Sequence, residues 1–243
     1  MSKIKTICIT GADRGLGFEL TENFLKRGYK VFAGKYLAEW KELDNLAEQY
    51  GDRIVPIQMD VSSDDSIKRV GEVISQHTDQ LDMLINNAGV LLERDVTVYD
   101  ELNFNHMMKE LDVNAVGPLR MTKALVKLIM NSDSKLIINI SSEAGQIEQQ
   151  ERKGWYGYCM SKAALNIQSN ILHNHLKKEG GRVLVIYPGW MQTYMNGGEL
   201  DTTAELTPKQ AAAYIAETIV RLGAEAVGDR PLFVDNKGER MAW

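Results

Sequence analysis

Two rhythms of apolar residues alternate along this chain. Short unbroken apolar runs recur, each followed by a longer segment whose apolar positions fall three and four apart. The runs are Thr6 to Ile9, Lys30 to Lys35, Ile54 to Met59, Met83 to Ile85, Leu136 to Ile140, Val183 to Tyr187 and Leu232 to Val234. Unalternating runs of this length predict strands covered on both faces. Helical spacing follows in Phe18 to Arg27, in Ala38 to Gln49, after Ser62 (Ile67, Val70, Val73, Ile74) and in Tyr156 to Lys178. Asn103 to Met130 reads as one long helical region interrupted near Gly117-Pro118. Thr207-Pro208 with Gln210 spells a capping box that opens a last helix, and Gly223 ends it. Trp190 to Leu206 has no period and contains Gly197-Gly198, so it predicts a loop. Strand and helix alternate without a linker or repeat. The expectation is one doubly wound α/β domain over residues 1–243, with a parallel sheet of about seven strands.

Composition narrows the function classes. Apolar residues are 44% of 243 and charged residues 25%, as in ordinary globular chains. The 28 basic and 33 acidic residues leave a net charge of −5 without a block of one sign. That argues against a nucleic-acid or membrane surface. Met1 to Lys5 carries no signal-peptide core, and no later run could span a bilayer. Cys8 and Cys159 lack a metal-ligand companion, and His77, His106, His173 and His175 show neither metal spacing nor a triad partner. These residues predict a reduced, cytoplasmic, metal-free protein with its histidines on the surface.

Candidate chemistry sits at two places. After the first strand comes Thr10-Gly11-Ala12-Asp13-Arg14-Gly15-Leu16-Gly17, a glycine turn running into a helix. Such a turn lets backbone approach a pyrophosphate, and the free N–H groups and dipole of the helix hold its charge. Further on, Tyr158 and Lys162 lie four apart in a predicted helix and share a face. An ammonium beside a phenol favours the phenolate, so such a tyrosine can exchange a proton with a carbonyl or hydroxyl oxygen. The same spacing also occurs on solvated helices.

The order of motifs resembles the short-chain dehydrogenase/reductase family over nearly the whole chain. The glycine turn matches its cofactor loop, and Asn86-Asn87-Ala88-Gly89 matches its mark after the fourth strand. Asn114 in Asp112-Val113-Asn114 matches its mid-helix asparagine. Ser142, second of Ser141-Ser142, matches its catalytic serine, and Tyr158 with Lys162 its catalytic pair. Pro188-Gly189-x-x-x-Thr193 matches the segment closing over the nicotinamide, and the wording around Ile138 to Ser142 and Pro188 to Trp190, with Trp243, is similar to the carbonyl-reductase and C-factor-like branch. The resemblance implies a Rossmann-like sheet of strand order 3-2-1-4-5-6-7. It implies that Tyr158 passes a proton to the carbonyl, Lys162 holds the ribose and lowers the tyrosine pKa, Ser142 orients the carbonyl, and Asn114 holds a relay water.

No acid ends the second strand, where Lys35-Tyr36 stands, and Arg14 lies inside the glycine turn. Both cations could pair with a 2′-phosphate, which makes NADP(H) the expected cofactor. The expected cofactor set is Gly11, Asp13, Arg14, Gly15, Leu16, Gly17, Lys35, Asp60, Val61, Asn87, Ala88, Gly89, Tyr158, Lys162, Pro188, Gly189 and Thr193. The expected activity is reversible reduction of a small ketone or aldehyde. Alternatives are a cofactor-binding regulatory or signalling protein with little turnover, or a 3-oxoacyl reductase. Ser142 and Tyr158 stand sixteen positions apart, where many family members have about three fewer, and the surplus falls in the polar stretch from Gln146 to Gly154, a place that tolerates insertion. Met160, Met191 and Met195 could line an adaptable apolar pocket. The family habit of pairing long helices implies a homodimer or homotetramer, for which Leu119, Leu125, Leu128, Leu165 and Ile171 are candidates.

Overall fold

The computed structural model describes residues 4–37, 39–148, 151–195 and 200–243. Seven strands form one parallel sheet: β1 (Thr6–Ile9), β2 (Lys30–Lys35), β3 (Ile54–Gln58), β4 (Met83–Asn86), β5 (Leu136–Ile140), β6 (Arg182–Ile186) and β7 (Leu232–Val234). Their order is 3-2-1-4-5-6-7, and every adjacent pair is parallel. Successive residues of a strand face opposite sides, so each apolar run divides between two cores. Ile7, Ile9, Val31, Ala33, Met83, Ile85, Ile138 and Ile186 pack on one face against helices α1 (Gly15–Lys26), α2 (Glu42–Tyr50) and α7 (Pro208–Gly223). Cys8, Phe32, Leu84, Ile137 and Val183 face the other side, towards α3 (Asp64–His77), α5 (Gly117–Met130) and the end of α6 (Tyr156–Leu176). No helix among the described residues is long and apolar enough to cross a membrane.

Several boundaries depart from the periodicity for local reasons. Helix α1 begins at Gly15, inside the glycine turn, so its first N–H groups belong to the motif itself. The expected start of the second helix at Ala38 lies outside the described residues, and α2 begins at Glu42, after Trp40, which packs edge-on against Tyr194. The interruption expected at Gly117-Pro118 falls one turn earlier. Phe104–Leu111 forms α4, Asp112–Val116 winds as a π-turn, and α5 continues with Pro118 in its first turn. Pro118 offers no N–H to the carbonyl of Asn114 four residues before it, and the helix widens there. His173 corrects the surface assignment. It is buried, with Nε2 2.9 Å from the Gly228 carbonyl and Nδ1 accepting from Val183 N. Of the proposed pairing residues, Leu125 and Leu165 belong to the core, whereas Leu119 and Ile171 are exposed.

Candidate active site

The strand order reverses between β1 and β4, and a cleft opens there at the carboxyl ends of the strands, where doubly wound sheets place their ligands. Gly11, Asp13, Arg14, Gly15, Leu16, Asp60, Val61, Asn87, Ala88, Gly89, Tyr158, Lys162, Pro188 and Thr193 all line it. Met191 and Met195 line it too, and Met160 does not. Gly197, Gly198 and Glu199 of the loop at 190–206 lie outside the described residues, as do Gln149 and Gln150 of the polar stretch.

The glycine turn is built for close approach. Gly11 and Gly15 both adopt positive φ. A Cβ on Gly11 would sit 3.0 Å from the Ala88 Cα, and one on Gly17 would sit 2.0 Å from the Gly11 carbonyl oxygen. Gly17 is thus a packing glycine behind the cleft. Asn87 locks the turn by donating from Nδ2 to the carbonyls of Thr10 and Gly11, at 2.9 and 3.1 Å. Thr10 Oγ1 in return accepts from the N–H groups of Asn87 and Ala88, both at 2.9 Å. With its side chains pulled back, this cradle presents first-turn N–H groups of α1 to the cleft and suits a pyrophosphate.

Asp13 and Asp60 serve the frame of the cleft. Asp13 is buried and accepts from Leu37 N at 2.9 Å, tying the turn to the end of β2. Asp60 accepts from the backbone and hydroxyl of Ser62. Burial would raise its carboxyl, but the Ser62 bonds with Lys109 and Arg120 outweigh that and hold it below the usual range. At the opposite wall Asn236 donates to the Pro188 carbonyl at 2.9 Å, and Gly189 at φ 86 leaves room for that amide.

The two cations expected on a 2′-phosphate part company. Arg14 lines the cleft with its guanidinium 5.3 Å from the Trp40 ring and 5.6 Å from the Tyr194 ring. Lys35 does not line it. Its ammonium binds both carboxylate oxygens of Asp44 at 3.0 and 2.9 Å, and Tyr36 and Leu37 take its place along the wall. The pairing arises because α2 starts late enough to set Asp44 over the end of β2.

Tyr158 and Lys162 share a face of α6, with the Lys162 ammonium 5.6 Å from the phenol ring centre and bonded to the Ile140 carbonyl at 2.9 Å. Burial pulls that ammonium down to about 8. The phenol departs from the expectation that Lys162 would depress it. Burial first, and then the Glu143 carboxylate, push it well above its ordinary range, against the Ser142 hydrogen bond. Ser142 is the serine turned towards Tyr158, whereas the Ser141 hydroxyl is spent on Asn166 at 2.7 Å. Asn114 does not line the cleft. Its carboxamide is committed to the backbone of Val90 on both sides, at 2.8 Å each, and to Ser161 at 3.0 Å. Pro118, four residues on, offers no N–H to its main-chain carbonyl.

The sequence profile of the short chain dehydrogenase family matches residues 5–204. The chain belongs to that family. It is 28% identical, over 99% of its length and 100% of the relative's, to 1-hydroxy-2-glutathionyl-2-methyl-3-butene dehydrogenase of Rhodococcus sp. strain AD45. It is 30% identical to the C-signal protein of Myxococcus xanthus over 68% of this chain and 95% of that one. The NADPH-bound carbonyl reductase from chicken fatty liver superposes with a TM-score of 0.87 at 26% identity, each chain covered in full. The expected likeness to carbonyl reductases and C-factor-like proteins thus holds in both fold and sequence.

Residues that the motifs did not single out complete the site. Arg152 pairs with Glu143, and the guanidinium of Arg152 lies 4.9 Å from the ring of Trp155, itself edge-on to Tyr158 at 6.1 Å. Trp155 adopts φ 63 where α6 begins. Glu143 stands next to Ser142 in sequence, and that adjacency was the one available signal.

Proposed function

We propose that this short-chain dehydrogenase is an NADPH-dependent reductase of small ketones or aldehydes, reversible in principle. The observation that carries it is the placement of Tyr158 and Lys162 in the cleft beside the glycine cradle, with Ser142 hydrogen-bonded to Tyr158 from behind the lining. When bound there, the nicotinamide cofactor supplies the hydride. The cradle of Gly11, Gly15 and Leu16 holds the pyrophosphate against the start of α1, and Arg14 faces the 2′-phosphate. Asp60 and Val61 flank the adenine, while Asn87, Ala88 and Gly89 support the ribose. Pro188, Gly189 and Thr193 form the nicotinamide wall.

Ser142 orients the carbonyl oxygen, and Tyr158 donates its phenolic proton as negative charge develops there. Lys162 holds the nicotinamide ribose. The NADPH-bound carbonyl reductase of the same fold supports this reading. A 3-oxoacyl reductase would need basic surface for an acidic carrier, and the sequence from Trp190 to Leu206 carries Glu199, Asp201 and Glu205 without Lys or Arg. Exposed Leu119 and Ile171 are the pairing candidates left for a homodimer or homotetramer, which light scattering at working concentration tests by returning more than one chain mass. A panel of ketones, aldehydes and quinones, followed by loss of NADPH absorbance, tests the activity. Turnover of a carbonyl with NADPH in preference to NADH is the expected result. Tight NADPH binding with no turnover across the panel would favour the regulatory reading.

A further inference from the structure

The Ser142 hydroxyl is already engaged. Its oxygen accepts from Ala144 N at 3.1 Å, and its hydrogen goes to Glu143 Oε2 at 2.7 Å. A serine has one hydrogen to give, so Glu143 decides where that hydrogen points. Glu143 is itself anchored from three segments: Ser142 after β5, Arg152 before α6, and the Tyr187 hydroxyl after β6. Arg152 stacks in turn on Trp155, which braces Tyr158. A carboxylate beside an acid–base tyrosine and bonded to the neighbouring serine is a built feature of the reaction chamber.

We propose that Glu143 is a positioning residue: its carboxylate, tied to Arg152, anchors the Ser142 hydroxyl and keeps Tyr158 in its proton-donating form. The inference rests on the oxidoreductase reading above. Reduction uses Tyr158 as an acid. Hydride adds to the carbonyl carbon as the nicotinamide is oxidised, the phenolic O–H breaks, the alcohol O–H forms, and the phenolate regains a proton from water. Oxidation runs the reverse and must start from the phenolate. Among the described residues, the titratable and charged groups facing Tyr158 are Lys162 and Cys159 on its own helix, Glu143 after β5 and Arg152 before α6. Glu143 is the carboxylate among them, and a like charge opposes the phenolate. Tyr158 therefore stays protonated, which suits the donor and disfavours the base. Arg152, on the other carboxylate oxygen, tempers the effect.

The test compares Glu143→Gln and Arg152→Gln with the unaltered protein in two readouts. The first is the pH profile of kcat/KM in both directions on one ketone–alcohol pair. The second needs no turnover: alkaline tyrosinate absorbance of the NADP⁺-bound protein, as a difference from the same protein carrying Tyr158→Phe. Glu143→Gln is expected to move the rise of oxidation and the Tyr158 ionisation to lower pH by about one unit or more, about tenfold in phenolate at a fixed pH. Arg152→Gln is expected to move both to higher pH. Melting temperature and NADPH affinity of Glu143→Gln should stay put. Unmoved midpoints, or shifts of the same sign in both variants, would overturn the proposal. If no pair turns over, the function above fails, and the tyrosinate titration still decides the role of Glu143.

Discussion

Arg14 and Lys35 offer the sharpest test of how this protein chooses its cofactor, because the structure separates two cations that look equivalent in sequence. Arg14 borders the cleft against both Trp40 and Tyr194, whose rings pack on each other at 5.1 Å. Lys35 is neutralised by Asp44. A guanidinium held against two rings is pre-aimed, so little ordering remains when a phosphate arrives. Charge-assisted hydrogen bonds contribute about 1.5–3 kcal/mol. Arg14→Ala should therefore weaken NADPH about tenfold to a hundredfold. NADH lacks the 2′-phosphate and should change little. Trp40→Ala should weaken NADPH alone, by a smaller factor, since it removes the brace and not the charge. Lys35→Ala should have the least effect of the three on the NADPH-to-NADH ratio. Isothermal titration with each nucleotide measures all of these. An unchanged ratio in Arg14→Ala would refute the assignment, and a larger loss in Lys35→Ala would show that its pairing with Asp44 opens on binding.

Two other substitutions follow from burial and packing. Lys162 is buried with its pKa pulled from 10.5 down to about 8. The unfolded chain binds more protons than the folded one between those values, so the cost is full below about 8 and fades as pH rises to 10.5. Lys162→Met should therefore stabilise the fold near neutral pH, by about 2 kcal/mol after the lost bond to Ile140 is counted, and its advantage in thermal melting should shrink above pH 8. Equal advantage at all pH values would contradict this. Gly17→Ala would press a methyl group onto the Gly11 carbonyl, and should cost about 1–3 kcal/mol in melting and loosen NADPH together.

Much of the frame could be read from the chain because its signals are local. Two-sided strands such as Val31 to Ala33 announce themselves by unbroken apolar character, and the Thr207–Gln210 capping box needs only four residues. Tyr158, Lys162 and Ser142 were legible because each sits at a fixed offset on an element that could be placed. What was not legible depends on side chains meeting across loops. Lys35 and Asp44 are nine residues apart, and nothing in the sequence says that α2 starts at Glu42 and brings them together. That the Asn114 carboxamide is bonded on both sides to the Val90 backbone, 24 residues away, is likewise written nowhere in the local pattern. His173 looked like surface until the Gly228 carbonyl came across to it. Glu143 was plain in the sequence, but its role depends on a loop with its own insert, where Arg152 reaches back.

The central claim is that Tyr158 gives the proton in carbonyl reduction. Tyr158→Phe keeps the ring against Trp155 and removes only the hydroxyl. Steady-state NADPH oxidation with a good ketone, paired with NADPH titration of the same protein, separates chemistry from binding. The account predicts a fall in kcat on the order of 10²–10⁴-fold, the usual contribution of a positioned acid, with NADPH affinity nearly unchanged. Near-normal kcat in Tyr158→Phe would contradict it.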